Sequence, residues 1–157
     1  MKARAGVLDL LNHVLRAELT AVHQYLLHAG MCKNWGYARL HDHYSHLANE
    51  EVQHSAGLVD HILYLSGTPD VAHIDSIAHG NDVAALFRTD LEFEREDVEL
   101  LRKAIVHCTE VGDFTTRHLL EHMIQDSEEH VDWFETQLRT IDQVGVERYL
   151  SEQIKKS

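Results

Sequence analysis

Glutamate and histidine recur in this sequence where the surrounding pattern calls for leucine. Glu18 stands three residues after Leu15, four before Val22 and seven before Tyr25. On a helix that spacing puts a carboxylate in the middle of an apolar face. Glu51 and His54 lie between Leu47 and Leu58, and Glu94 lies between Leu91 and Val98. His130 follows Met123 by seven residues and precedes Phe134 by four. An unpaired carboxylate in a dry core is costly, and Glu is almost never fully buried without a partner. No Lys or Arg falls on these stripes at the same level, so the counter-charge must come from a bound cation. Mixed oxygen and imidazole ligands suit iron, manganese or zinc, whereas oxygen alone suits calcium or magnesium. Any one of these residues by itself reads more simply as a half-solvated group at a stripe edge, and Glu51-x-x-His54 alone is a common i,i+3 pair. Their coincidence on four segments points to a metal site.

Four long segments of helical period must position these groups. They run from about Val7 to Lys33, Arg39 to Ser66, Asp82 to Val111 and Phe114 to Val144. The apolar residues are Leu11, Leu15, Val22, Tyr25 and Ala29 on the first, and Leu40, Leu47, Leu58, Ile62 and Leu65 on the second. The third repeats Val83, Phe87, Leu91, Val98, Leu101 and Ile105; the fourth repeats Leu120, Met123, Phe134, Leu138 and Ile141. A short fifth helix is predicted around Val146 to Ile154, with Tyr149, Leu150 and Ile154 as its apolar residues. Pro69 is the only proline, which permits long uninterrupted helices. Period-two runs and hairpin signals are absent. Segments of about 40 Å with one apolar stripe each pack as a four-helix bundle. Short links make the first and last pairs antiparallel hairpins. The link from Gly67 to Asn81, about 15 residues, is long enough to cross the bundle and leave the middle two helices parallel. Each polar interruption lies near mid-helix, so packing brings all of them to a common height.

The 157 residues carry 14 Lys+Arg against 26 Asp+Glu, a net charge of −12. The length fits one domain over residues 1–157. The acidic balance argues against nucleic acid as a partner and favours cations. No stretch suits a membrane span and no secretory leader is apparent, so a cytoplasmic location is expected. Cys32 and Cys108 form no CxxC pair and read as small buried hydrophobes.

The residues at the interrupted stripes resemble those of ferritin-like di-iron bundles, in which two helices each give one Glu and the other two give Glu-x-x-His. Within that superfamily the chain is similar to bacterioferritin over nearly its whole length. Gln24-Tyr25, Leu27-His28-Ala29, Lys33-Asn34-Trp35-Gly36, Arg39-Leu40, Ile62-Leu63, Gly67 and His130-Val131-Asp132-Trp133 carry the likeness. The resemblance implies an all-α, ferritin-like bundle with one long crossover and a short fifth helix lining four-fold pores. It further implies a twenty-four-subunit shell that oxidises Fe(II) with oxygen or peroxide and stores a ferric mineral. On that reading Glu18, Glu51, His54, Glu94 and His130 are the iron ligands, Glu51 bridging. His46 and Glu50, i,i+4 neighbours, would hold iron on the cavity side, with His43 able to join them.

Two positions depart from the family pattern. The carboxylate that belongs three residues before His130 is replaced by Ser127, and Glu128 and Glu129 project away from the face shared by 127 and 130. Three carboxylates then face the four charges of two ferrous ions, so one firmly held ion and a weak or water-completed second are expected. The methionine that ligates haem in the family, directly after the second helix's Glu, is here Val52. Val52 cannot ligate iron and is expected to pack as a buried aliphatic; haem from this chain alone is not expected. These losses keep open a second reading, a structural subunit that co-assembles with another bacterioferritin chain holding the complete site. A third, a ferritin-like oxidase of an organic substrate, is weaker, and a rubrerythrin is disfavoured by the missing CxxC pairs. Tyr25 reads as an amphipathic core residue within reach of the ligands, and His118, Glu121 and His122 read as ordinary surface.

Overall fold

The computed structural model describes residues 1–156. It contains α1 (Val7–Asn34), α2 (Ala38–Tyr64), α3 (Val83–Val111), α4 (Phe114–Val144) and α5 (Val146–Gln153), with no strand among the described residues. The predicted segments match within one or two residues at most ends. The second stops at Tyr64 rather than Ser66, because Ser66 turns left-handed (φ 64°) and the Gly67 N–H closes back on the Ile62 carbonyl at 2.9 Å. Ile154 lies beyond the last turn of α5 and is 60% exposed, so it is not one of that helix's packing residues. Tyr149 is the anchor, set edge-on against Phe87 and hydrogen-bonded to Gln137.

Local chemistry explains the boundaries. Asp82 caps α3 by accepting from the Ala85 N–H at 2.8 Å, and Asp113 caps α4 by accepting from Thr116 N–H at 3.0 Å. Between α3 and α4, Gly112 takes φ 75°, the left-handed value that ends a helix most easily with no Cβ.

The chain from Leu65 to Asp82 is the crossover, and a ladder of polar side chains on α1 holds it. Asn12 Nδ2 donates to the Thr68 carbonyl and Asn12 Oδ1 accepts from Asp70 N–H. Arg16 pairs with Asp75 at 2.8 Å, and Thr20 Oγ1 accepts from Asp75 N–H. Gln24 accepts from Ala78 N–H, and His28 Nε2 meets the Ala78 carbonyl at 2.9 Å. These residues recur every fourth position, so they share a slowly drifting face. The link therefore ascends alongside α1, which makes α2 and α3 parallel.

Packing divides the core into two. One apolar cluster gathers Tyr25, Leu40, Tyr44, Leu47, Phe87, Leu91 and Phe134. The other gathers Leu11, Leu15, Leu58, Ile62, Leu101, Leu120 and Met123. Glu18, Glu51, Glu94, Asp97, Ser127 and His130, all buried, occupy helix positions between the two sets.

Candidate metal centre

Each helix contributes to this polar layer because polar residues interrupt its apolar stripe near mid-length. The structure brings all five expected ligands together in two groups of three. Glu18, Glu51 and His54 form one, and Glu51, Glu94 and His130 form the other, with ligand atoms in each group within 4.8 Å of one another. Glu51 belongs to both. In the first group His54 Nδ1 lies 3.3 Å from Glu18 Oε2 and 3.6 Å from Glu51 Oε2. In the second, His130 Nδ1 lies 3.1 Å from Glu94 Oε1 and 3.8 Å from Glu51 Oε1.

The outer nitrogen of each imidazole is held from behind. His54 Nε2 meets Asp126 Oδ2 at 2.8 Å, and His130 Nε2 meets Glu50 Oε2 at 2.7 Å. Such outer carboxylates fix ring orientation and leave the inner nitrogen for a metal. Glu50 is thus shared: its other oxygen lies 2.9 Å from His46 Nε2. The His43 ring stacks on Trp133 with centroids 3.7 Å apart, and its buried Nε2 makes no hydrogen bond.

Electrostatics shows what the layer lacks. Burial, then the Glu51 charge, pushes the Glu18 carboxyl well above the usual range, and burial does the same to Glu51. Burial lowers both imidazoles, but hydrogen bonds and charges from carboxylates outweigh it. His54, beside Glu18 and Asp126, and His130, beside Glu94 and Glu50, both end at about 9. Glu18 Oε1 and Glu51 Oε1 are buried with no hydrogen-bond partner. Among the described residues the Lys and Arg ion pairs form elsewhere: Arg16, Arg95, Arg102, Arg117 and Lys155 meet carboxylates outside the layer. Orphaned buried carboxylate oxygens alongside two oriented imidazoles fit divalent iron in the donor set they offer.

Two buried acids were not among the expected site residues. Asp90, one turn before Glu94, is fully buried. Its oxygens take bonds from Gln24 at 2.7 Å, His28 at 2.7 Å and Tyr44 at 2.6 Å. It is satisfied by the protein. Asp97, one turn after Glu94, is 5% exposed, and Ser127 Oγ donates to its Oδ2 at 3.0 Å while Oδ1 has no partner. The Glu94-x-x-Asp97 spacing, the same i,i+3 step as Glu51-x-x-His54, is the signal that could have found it.

The remaining positions divide. Tyr25 is fully buried and its hydroxyl donates to Glu94 Oε1, so it packs in the core and touches the site. Cys32 and Cys108 are buried free thiols, as expected. Glu128 and Glu129 are exposed, and so are His118, Glu121 and His122. Val52 overturns its expectation: it is 49% exposed, because it lies on the outer side of α2, next to Glu51 but turned by about 100°.

Residues 8–144 match the ferritin-like domain family. The bacterioferritin of Mycolicibacterium paratuberculosis is 40% identical over 149 residues, covering 95% of this chain and 94% of that protein. The chain belongs to the bacterioferritin family. The bacterial ferritin of Pseudomonas aeruginosa is 38% identical across 98% of this chain and all of its own length, and that of Synechocystis sp. is 36% identical across 98% and 99%. Bacterioferritin membership accords with the helix order, the single crossover and the fifth helix. No helix among the described residues is long and apolar enough to cross a membrane.

Proposed function

We propose that this chain is an iron-storage subunit and a ferroxidase whose substrate is Fe(II). The observation that carries the reading is the pair of three-residue clusters sharing Glu51, with buried carboxylate oxygens that no protein group satisfies. Glu18, Glu51 and His54 would hold one ferrous ion, and Glu51, Glu94 and His130 the other. Asp126 and Glu50 hold the imidazoles with their inner nitrogens presented. Two ferrous ions give up one electron each. With two protons they reduce oxygen to hydrogen peroxide, or peroxide to two waters. The ferric product then leaves for mineral in the interior of a shell built from copies of the chain, with twenty-four subunits as the family resemblance implies. His46 and Glu50, 2.9 Å apart, would receive iron on that route. One ferritin-like domain over residues 1–157, acting in the cytoplasm, completes the reading.

Ser127 favours a second reading, a shell subunit with impaired oxidation that co-assembles with a complete bacterioferritin chain. Stopped-flow oxidation of Fe(II) by the homomeric protein separates the two. A rate well above uncatalysed autoxidation, lost in Glu51→Gln, supports the ferroxidase; a rate equal to autoxidation leaves only the structural role. Val52 offers no haem ligand, so the purified homo-oligomer should show no stoichiometric Soret band. An anomalous map at the iron edge tests the ligands directly.

A further inference from the structure

We propose that Asp97 is itself a metal ligand of the intra-bundle site, supplying from α3 the carboxylate that position 127 of α4 lacks. The proposal rests on the metal-site reading above and changes its stoichiometry: two firmly held ions rather than one firm and one weak.

Four observations converge. Asp97 follows Glu94 by one helical turn and shares its inward face, so α3 presents two carboxylates to the layer where a single-ligand helix presents one. Asp97 is 5% exposed and its Oδ1 is buried without any hydrogen-bond partner, the same state as Glu18 Oε1 and Glu51 Oε1. Its Oδ2 is reached by the hydroxyl of Ser127, at 3.0 Å, so the residue that departs from the family pattern is the one that touches Asp97. Ser127, itself buried, ends in a hydroxyl, so position 127 brings no carboxylate of its own to the layer. Asp90 is the internal control. It lies on the same helix, equally buried, but with both oxygens engaged, it has no capacity left for a cation.

Charge balance gives the same answer. Glu18, Glu51, Glu94 and Asp97 are four buried carboxylates, which match the charge of two divalent ions when His54 and His130 bind as neutral imidazoles. Without cations the layer holds bare carboxylate oxygens at Glu18, Glu51 and Asp97. A purely structural Asp–Ser pair would not require the second oxygen to be left bare beside other bare carboxylates.

The test is anaerobic titration of the assembled apoprotein with Co(II), read by its d–d absorption and by calorimetry. The wild type should bind two ions per subunit tightly. Asp97→Asn should keep one and weaken the other by at least tenfold. If the wild type holds two and D97N holds two with unchanged affinity, Asp97 is not a ligand and the metal site stands. A wild type holding only one tight ion also overturns the Asp97 assignment while leaving the site. A wild type that binds no Co(II) overturns the site itself. Should D97N fail to assemble, a wild-type crystal soaked in Co(II) decides: an anomalous peak about 2.0–2.2 Å from an Asp97 oxygen supports the assignment, and peaks remote from Asp97 refute it.

Discussion

Asp126 Oδ2 stands 2.8 Å from His54 Nε2, across from α4 to α2, and turns the other ring nitrogen toward Glu18 and Glu51. The contact is partly exposed, so it contributes little to stability, but it leaves Nδ1, the nitrogen that would meet a metal, facing Glu18 and Glu51. Asp126→Ala should weaken one of the two Co(II) ions by roughly 10–100-fold with little change in melting temperature. Unchanged affinity would show that His54 needs no outer support.

Metal binding should release protons. Burial and the charges of neighbouring carboxylates hold Glu18 and Glu51 protonated to higher pH than free carboxyls, and His54 and His130 stay protonated to about 9. Each of these groups must be deprotonated to ligate. Calorimetric titration of Co(II) near pH 7 in buffers of different ionisation enthalpy should therefore show net proton release. Enthalpies independent of the buffer would contradict it.

The apoprotein should lose stability as pH rises. Carboxyls and imidazoles whose folded values are raised stabilise the fold while protonated, an effect complete below their unfolded values and lost as pH climbs through the folded ones. The metal-free protein should melt lower at pH 9 than at pH 6, and Glu51→Gln should flatten that slope. At pH 9 the variant should melt higher than the wild type by a few degrees, about 1 kcal/mol for a chain of this size. A variant with the wild-type slope would place the charge strain elsewhere.

Asp90 and Tyr25 separate structure from chemistry. Asp90→Ala leaves the buried Gln24, His28 and Tyr44 without their shared acceptor and should cost on the order of 3 kcal/mol. Metal stoichiometry should not change. Tyr25→Phe removes the hydroxyl that donates to Glu94 and should cost about 1 kcal/mol in the metal-free protein. Thermal melts and Co(II) titrations of both variants check these outcomes, and a lost ion in D90A would give Asp90 a role in the site.

The helices, their order, the long crossover and five candidate ligands on four stripes were legible from residue spacing alone. A helix has a fixed period, so a carboxylate at a leucine position declares its face without any knowledge of neighbours. What spacing cannot supply is the axial register between helices, which decides who meets whom. Asp97 shares the face of Glu94, but only the packing of α3 on α4 brings Ser127 to its carboxylate. The same holds for Glu50, whose i,i+4 relation to His46 was readable while its hold on His130 across to α4 was not. Val52 had the composition of a core residue and emerged on the outside, because hydrophobicity states a preference and the helix rotation set by its neighbours assigns the place. Sequence determined which groups each helix presents; tertiary structure decided their partners, since contacts between helices depend on crossing and register that no single helix encodes.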